Sequence, residues 1–467
     1  MKASVLRLLS GVNRRERLLP GLDLGIQRRH EQRRSDEIAR YIQSGYPFSA
    51  MSEARRGQVD ASNLRQPGWL PTAIVVNIVK PDNMYRGACV DTSDIVDVVD
   101  AENQPQLLLP QTYDGSKWEP KGRYPIEIID GQHRLFAFNE TFDDFEVPVV
   151  AFHGLDIGWQ AYLFWTINIK PKRINASLAF DLYPLLRTQD WLEQGEDYSI
   201  YRETRAQELT EKLWSYPKSV WNKRIDMVGN AGRQFVSQAA WVRSFVATII
   251  KRWDGKGVSI GGLFGSKMSD GSDPLPWSRI QQAAFIISFW NQLLVAIAST
   301  KSTWVKALRT ESDPATVRFN TRSSGDEPAF FGPHTLINQD QGIRAILHVL
   351  NDVFFVSSER LALEDWIDDR DDDLSDDVAL AKVIRSFSKT DAYTFMETLC
   401  ESLARYDWRS STAPGLSEEQ SQMRRLFRGS GGYAELRRQC VEHLTTVKQG
   451  PLRAAAMTVL DKMRSAR

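Results

Sequence analysis

"IEIIDGQHRLFAF" (residues 126–138) decides how this chain is read. It opens as an apolar, β-branched strand, turns at Asp130 and Gly131, and sets down Gln132, His133 and Arg134 before apolar residues return. β-Branched residues favour strands, glycine permits a sharp turn, and the apolar return predicts a helix starting near Gln132. A helix start offers backbone N–H groups at a partially positive end, which attracts anions and phosphate above all. His133 and Arg134 add donors, and an arginine fork grips phosphate oxygens in pairs. Asp130 is then a candidate Mg²⁺ ligand, a partner that orients His133, or a group that positions water; Glu127 is the weaker second carboxylate. The alternative is plain capping, with Asp130 as N-cap and Gln132, His133 and Arg134 as a polar first turn. Both readings stand on these residues alone.

Outward from this stretch, short strand candidates surround it: "TAIVVNIV" (72–79), "PQLLLPQTY" (105–113), "YPIEIID" (124–130) and "FEVPVVAF" (145–152). Each is rich in strand formers and bounded by turn residues. "DIGWQAYLFWTIN" (156–168) follows as a helix with a broad apolar face. From about residue 180 the pattern turns helical, with "RAQELTEKLWS" (205–215), "RQFVSQAAWVRSFVATIIKRW" (233–253), "AAFIISFWNQLLVAIA" (283–298) and "GIRAILHVLNDVFF" (342–355). The third of these is too short, and too polar at Asn291 and Gln292, to cross a bilayer; it reads as a core helix. Further basic helices close the chain after residue 420.

Charge excludes little, because 59 basic residues balance 59 acidic ones over 467 residues. Local charge says more. "QRRHEQRRSDEIARYIQSG" (27–45) begins basic and continues at helical spacing, either as a solvated helix or as an arm whose Arg28 and Arg29 meet phosphates. The acidic run "EDWIDDRDDDLSDD" (364–377) reads as a solvated connector, with a metal site or a docking face for a basic partner as alternatives. Cys89, Cys400 and Cys440 have no metal-ligand spacing, which fits reduced thiols in a cytoplasmic protein. The N-terminus lacks a signal-peptide pattern. No Walker A, GxGxxG, HExxH or GxSxG pattern occurs, and six histidines give no metal cluster.

Two motifs together resemble a known family. "DGQHR" is the name-giving signature of the DGQHR-domain (DndB-like) proteins, relatives of the ParB and sulfiredoxin fold, and "FWTINIKPKRINASL" (164–178) resembles that family's second landmark. The likeness covers residues 27–180 and implies an α+β fold: a small ParB-like mixed-sheet domain followed by a large, mainly helical C-terminal part. On this likeness the chain divides into an arginine-rich segment (1–60), a nucleotide-binding domain (61–180) and a helical domain (181–467).

The resemblance implies that Gly131, Gln132, His133 and Arg134 line a nucleoside triphosphate, ATP first among them, with Asp130 near Mg²⁺ or the attacking water. Asn168 becomes a pocket wall, and Lys170, Lys172 and Arg173 become phosphate or DNA contacts, although Ile169 and Pro171 interrupt the family's polar spelling there. Family members accompany bacterial DNA modification, either phosphorothioation or, in a DpdB-like branch, insertion of 7-deazaguanine. The expected function is therefore an NTPase working with DNA and with transglycosylase-like or sulfur-transfer enzymes, in no membrane, with homo-oligomerisation open. The alternatives are a DNA-binding regulator with a nucleotide-sensing pocket, and a scaffold. Sulfiredoxin-type redox chemistry is disfavoured, because Gln132 stands where a cysteine would be needed.

Overall fold

β-Branched and apolar residues occupy both faces of Ile126–Ile129, so this strand requires cover on both sides. The structure, a computed structural model, supplies it. It describes residues 1–12, 31–46, 48–57, 62, 64–66, 68–82, 84, 89–101, 104–115, 117–138, 145–169, 176–180, 199–228, 236–252, 260–265, 275, 277–310, 326–366 and 374–465. The chain divides into two compact units, Met1–Arg173 and Ile174–Arg467.

The first unit is built on a mixed sheet of order β1-β5-β2-β6, comprising β1 (Ser10–Gly11), β2 (Ile74–Ile78), β5 (Ile126–Asp130) and β6 (Val149–His153). β1 runs parallel to β5, β5 antiparallel to β2, and β2 parallel to β6. The β5–β2 register shifts between Val75 and Val76, opposite the end of β5. Helix α1 (Ala3–Leu9) buries Ala3, Leu6 and Leu9 with the sheet's Ile74, Val76, Ile126 and Ile128. The N-terminal residues are thus part of the same core as the sheet. Helix α2 (Gln32–Ser44) packs on the single turn α4 (Gln132–Leu135), and α5 (Ile157–Ile169) packs on β5. A short α3 (Glu53–Arg56) lies between α2 and β2 in the chain.

The apolar run at 105–113 does not join this sheet. Its β4 (Gln104–Leu108) pairs with β3 (Asp97–Ala101) in a separate two-stranded ribbon, where Leu107 and Leu108 remain exposed.

The second unit is helical: α6 (Ala176–Phe180), α7 (Ser199–Ser215), α8 (Gln238–Ala247), α9 (Arg279–Ser299), α10 (Thr303–Thr310), α11 (Pro328–Phe331), α12 (Asp340–Phe355), α13 (Asp377–Phe387), α14 (Asp391–Leu403), α15 (Glu418–Arg425), α16 (Gly429–Thr445) and α17 (Pro451–Ser465). Helix α8 stops short of its predicted end because Thr248 leaves helical geometry. Helix α9 is the one described helix apolar and long enough to span a membrane, yet 72% of its most apolar window is buried in this unit's core. Trp290 on α9 meets Trp221 and Trp241 edge-on at ring separations of 5.4 and 5.3 Å, a favoured aromatic geometry. The chain is thus an α+β protein with a small mixed sheet and a mainly helical C-terminal part.

Part of the acidic run has a structural role. Asp376 caps α13 by accepting the Val378 and Ala379 amides at 2.8 and 3.0 Å, and Asp377 takes Lys212 at 2.8 Å. Residues 367–373 of the run lie outside the described residues.

Candidate functional site

Where β5 ends, Asp130 emerges from a strand whose preceding residues are all buried. Gly131 then adopts φ +97°, in the left-handed region that glycine enters without strain. A methyl at this position would also come within 3.1 Å of an Arg134 guanidinium nitrogen. Glycine is needed twice over, once for the turn and once for the arginine folded against it.

That arginine is heavily engaged. One terminal nitrogen donates to Asp130 Oδ2 at 2.6 Å; the other donates to the carbonyls of Thr72 and Ala73 at 2.7 and 3.1 Å. The fork ties the end of β5 to the chain entering β2. Asp130 Oδ1 also accepts from Asn168 Nδ2 at 3.4 Å, while the same amide donates to the Phe164 carbonyl at 2.9 Å. The two signature segments therefore share one carboxylate. Asp130 does not cap α4: the N-cap position is Gly131, without a side-chain cap. The plain capping reading fails on this geometry. Because α4 is a single turn of four residues, its aligned dipoles add little, and anion attraction falls to side chains.

Ser35 and the backbone of His133 set the other wall. The buried Ser35 hydroxyl donates to the His133 carbonyl at 3.1 Å and locks α2 onto the DGQHR turn. One residue before it, Arg34 reaches the same space. Arg34, Ile38, Leu70, Phe164 and Asn168 join the five DGQHR residues around a cavity of about 370 Å³, within the usual range for small-molecule sites. Asp130 and Arg134 neutralise one another, whereas exposed Arg34 has no ion-pair partner among the described residues. The cavity thus presents one cation without an ion-pair partner among the described residues, the amides of Gln132 and Asn168, the His133 imidazole, and an apolar wall of Ile38, Leu70 and Phe164. That combination suits a ligand with an anionic end and a flat or apolar end.

The sequence-selected residues distribute unevenly over this geometry. Asp130, Gly131, Gln132, His133, Arg134 and Asn168 converge. Glu127 does not, and its reading as a second metal carboxylate is corrected. It is buried in mid-strand, where its carboxylate is held by Arg123 and by Gln160 Nε2 at 2.9 Å. A buried carboxylate needs such partners, and these leave it no free oxygen for the cavity. Arg28, Arg29, Lys170, Lys172 and Arg173 lie outside the described residues. Arg34, Ile38, Leu70 and Phe164 were not singled out from sequence, although Arg34/Ile38 and Phe164/Asn168 are i,i+4 pairs on helices and so share a face.

Comparison of the chain with protein-family models, with curated proteins and with solved structures finds no match.

Proposed function

We propose that the first unit is a DGQHR-type nucleotide-binding module, and that the protein is an NTPase, with ATP the first candidate, acting in bacterial DNA modification. One observation carries the reading: Arg34, the Asp130–Arg134 pair and Asn168 meet on one cavity of about 370 Å³ with an apolar wall. Arg34 would receive phosphate oxygens, Asn168 would hold Asp130 beside them, and Ile38, Leu70 and Phe164 would receive the base. The ParB-like identity, the cytoplasmic setting and the partnership with DNA and its modifying enzymes rest on the sequence resemblance.

Hydrolysis requires a group that positions the attacking water, and Asp130 is the candidate. A phosphate competing for Arg134 would release Asp130 from its ion pair, leaving an oxygen to orient the attacking water. Mg²⁺ fits this donor set, because it is commonly held by one or two carboxylates together with substrate phosphates. Asp130 is its protein ligand in this reading, and the ion would offset phosphate charge.

The engagement of Asp130 by both Arg134 and Asn168 favours a second reading, in which nucleotide is sensed but not cleaved and the protein acts as a DNA-binding regulator. One experiment separates the two. ATP, GTP and CTP binding and Mg²⁺-dependent phosphate release are measured for wild type, Asp130→Asn and Arg134→Ala. Turnover by wild type that disappears in both variants supports the enzyme; binding without turnover supports the sensor. Binding of none of the three nucleotides refutes both.

A further inference from the structure

Helix α9 carries Asn291 and Gln292 in an otherwise apolar sequence, and the second unit uses both. Asn291 Oδ1 accepts the Val220 amide at 2.8 Å, and its Nδ2 donates to the Lys218 carbonyl at 2.9 Å. The turn after α7 is thereby clamped onto α9, which fixes the origin of the Lys218 side chain. Tyr393 on α14 donates to Gln292 Oε1 at 3.4 Å. Asn291, Gln292 and Tyr393 line a cleft of about 280 Å³ that also includes Lys218, Arg385 of α13 and Ser288.

Three features of this cleft point to an anionic ligand. Lys218 and Arg385 are both exposed, and neither has an ion-pair partner among the described residues. Glu397, a carboxylate of the same polar network, is in contact with Gln292 Nε2 at 3.5 Å, and Asp377, whose charge reaches the lining Tyr216, is paired with Lys212. On the floor, Ser288 is 5% exposed and its buried hydroxyl has no hydrogen-bond partner. A buried polar group without a partner is costly, and a ligand oxygen would satisfy it. Beside the cations, Val295 leaves its side chain in solvent at 56% exposure and, with Ile384, offers an apolar flank.

We propose that this cleft binds the phosphate monoester of a small molecule of mononucleotide size. Lys218 and Arg385 hold the phosphate, and Val295 and Ile384 lie against the organic body. The site belongs wholly to the helical unit and does not depend on the nucleotide reading of the first unit.

The test is calorimetric titration of the full-length protein with AMP, using an Arg34→Ala background to weaken the first cavity. Adenosine and inorganic phosphate serve as separate arms. AMP is expected to bind, with each fragment at least about tenfold weaker; Lys218→Ala and Arg385→Ala are each expected to lower AMP affinity about tenfold or more, as loss of a charge-assisted hydrogen bond does. Both residues are exposed, so these substitutions leave the core intact. Unchanged AMP affinity in Arg385→Ala, or no AMP binding at millimolar concentration, overturns the proposal. Equal affinity for inorganic phosphate overturns the assignment to an esterified phosphate.

Discussion

Asn168 Nδ2 lies 3.4 Å from Asp130 Oδ1, joining the end of α5 to the end of β5 through one carboxylate. The contact is long for a hydrogen bond and contributes little stability by itself. Its value is positional. Asp130 is held from two sides, by Arg134 at 2.6 Å and by Asn168, so its carboxylate has a fixed direction at the cavity edge.

Gly131 tests how tightly that arrangement is built. Gly131→Ala meets both a φ of +97° and the Arg134 guanidinium at 3.1 Å, whereas Gly115, at φ +102°, has nothing within 4 Å. Both alanine variants bear the backbone cost of about 1–3 kcal/mol. Gly131→Ala is expected to cost more than Gly115→Ala in urea denaturation, the excess reporting displacement of Arg134. Equal costs would mean that the guanidinium moves aside freely.

Arg34 tests the ligand assignment without disturbing the fold. It is exposed and unpaired among the described residues. Arg34→Ala should therefore leave stability within about 0.5 kcal/mol, while weakening nucleotide binding about tenfold or more through loss of a charge-assisted bond. Arg34→Lys should recover part of the affinity, because charge returns but the fork does not. Nucleotide affinity unchanged in Arg34→Ala would remove this residue from the site.

Arg123 offers a test in the sheet itself. Removing it takes the paired cation from the Glu127 carboxylate in a buried strand, where Gln160 Nε2 still donates at 2.9 Å. Arg123→Ala should cost about 3–5 kcal/mol, as breaking a buried pair from one side does. The double variant Arg123→Leu/Glu127→Leu should be less destabilised than Arg123→Ala. A single-variant loss below about 1 kcal/mol would show that the pair is effectively solvated.

Much of the sheet is legible in the sequence because β2, β5 and β6 are compact runs of strand formers flanked by turn residues. β1 is not, since two residues carry no periodicity and Ser10–Gly11 is defined by its pairing with β5. The leucines at 107–109 mislead for the opposite reason: local apolarity says that a strand is possible, not that a layer covers it. At the site, the DGQHR turn and Asn168 stand out as chemistry between apolar segments. Arg34 does not, because a helix sequence leaves open which turn docks where. That is decided by the Ser35–His133 hydrogen bond across distant segments. The same limit hides the cleft of the second unit, whose cations come from elements far apart in the chain.

The last prediction concerns acid. Burial, reinforced by Arg437, Arg344 and Lys251, pushes the His348 imidazole well below the ordinary histidine value of 6.5. Burial also lowers His443, with Arg405 adding to the effect and its bond to the Ser402 carbonyl opposing it. His348 stays neutral well below the pH at which the unfolded chain takes up its proton, near 6.5, and His443 protonates at a lower pH folded than unfolded. The unfolded state therefore binds more protons as pH falls, and stability drops with acidification. The contribution is fully present above the unfolded value and is lost progressively below it, at up to about 1.4 kcal/mol per pH unit for each histidine in that range. Asp352, one turn after His348, has the opposite sign. Burial raises its carboxyl against the pull of Arg437, so its contribution weakens as pH rises from its unfolded value of 3.8 towards the raised one. The two effects oppose one another in sign, so a loss of stability in denaturation midpoints between pH 7.5 and 5.5 on acidification reports the histidines. His348→Gln should flatten that slope by about one proton's worth, and an unaltered slope would show that His348 is already solvated in the folded chain.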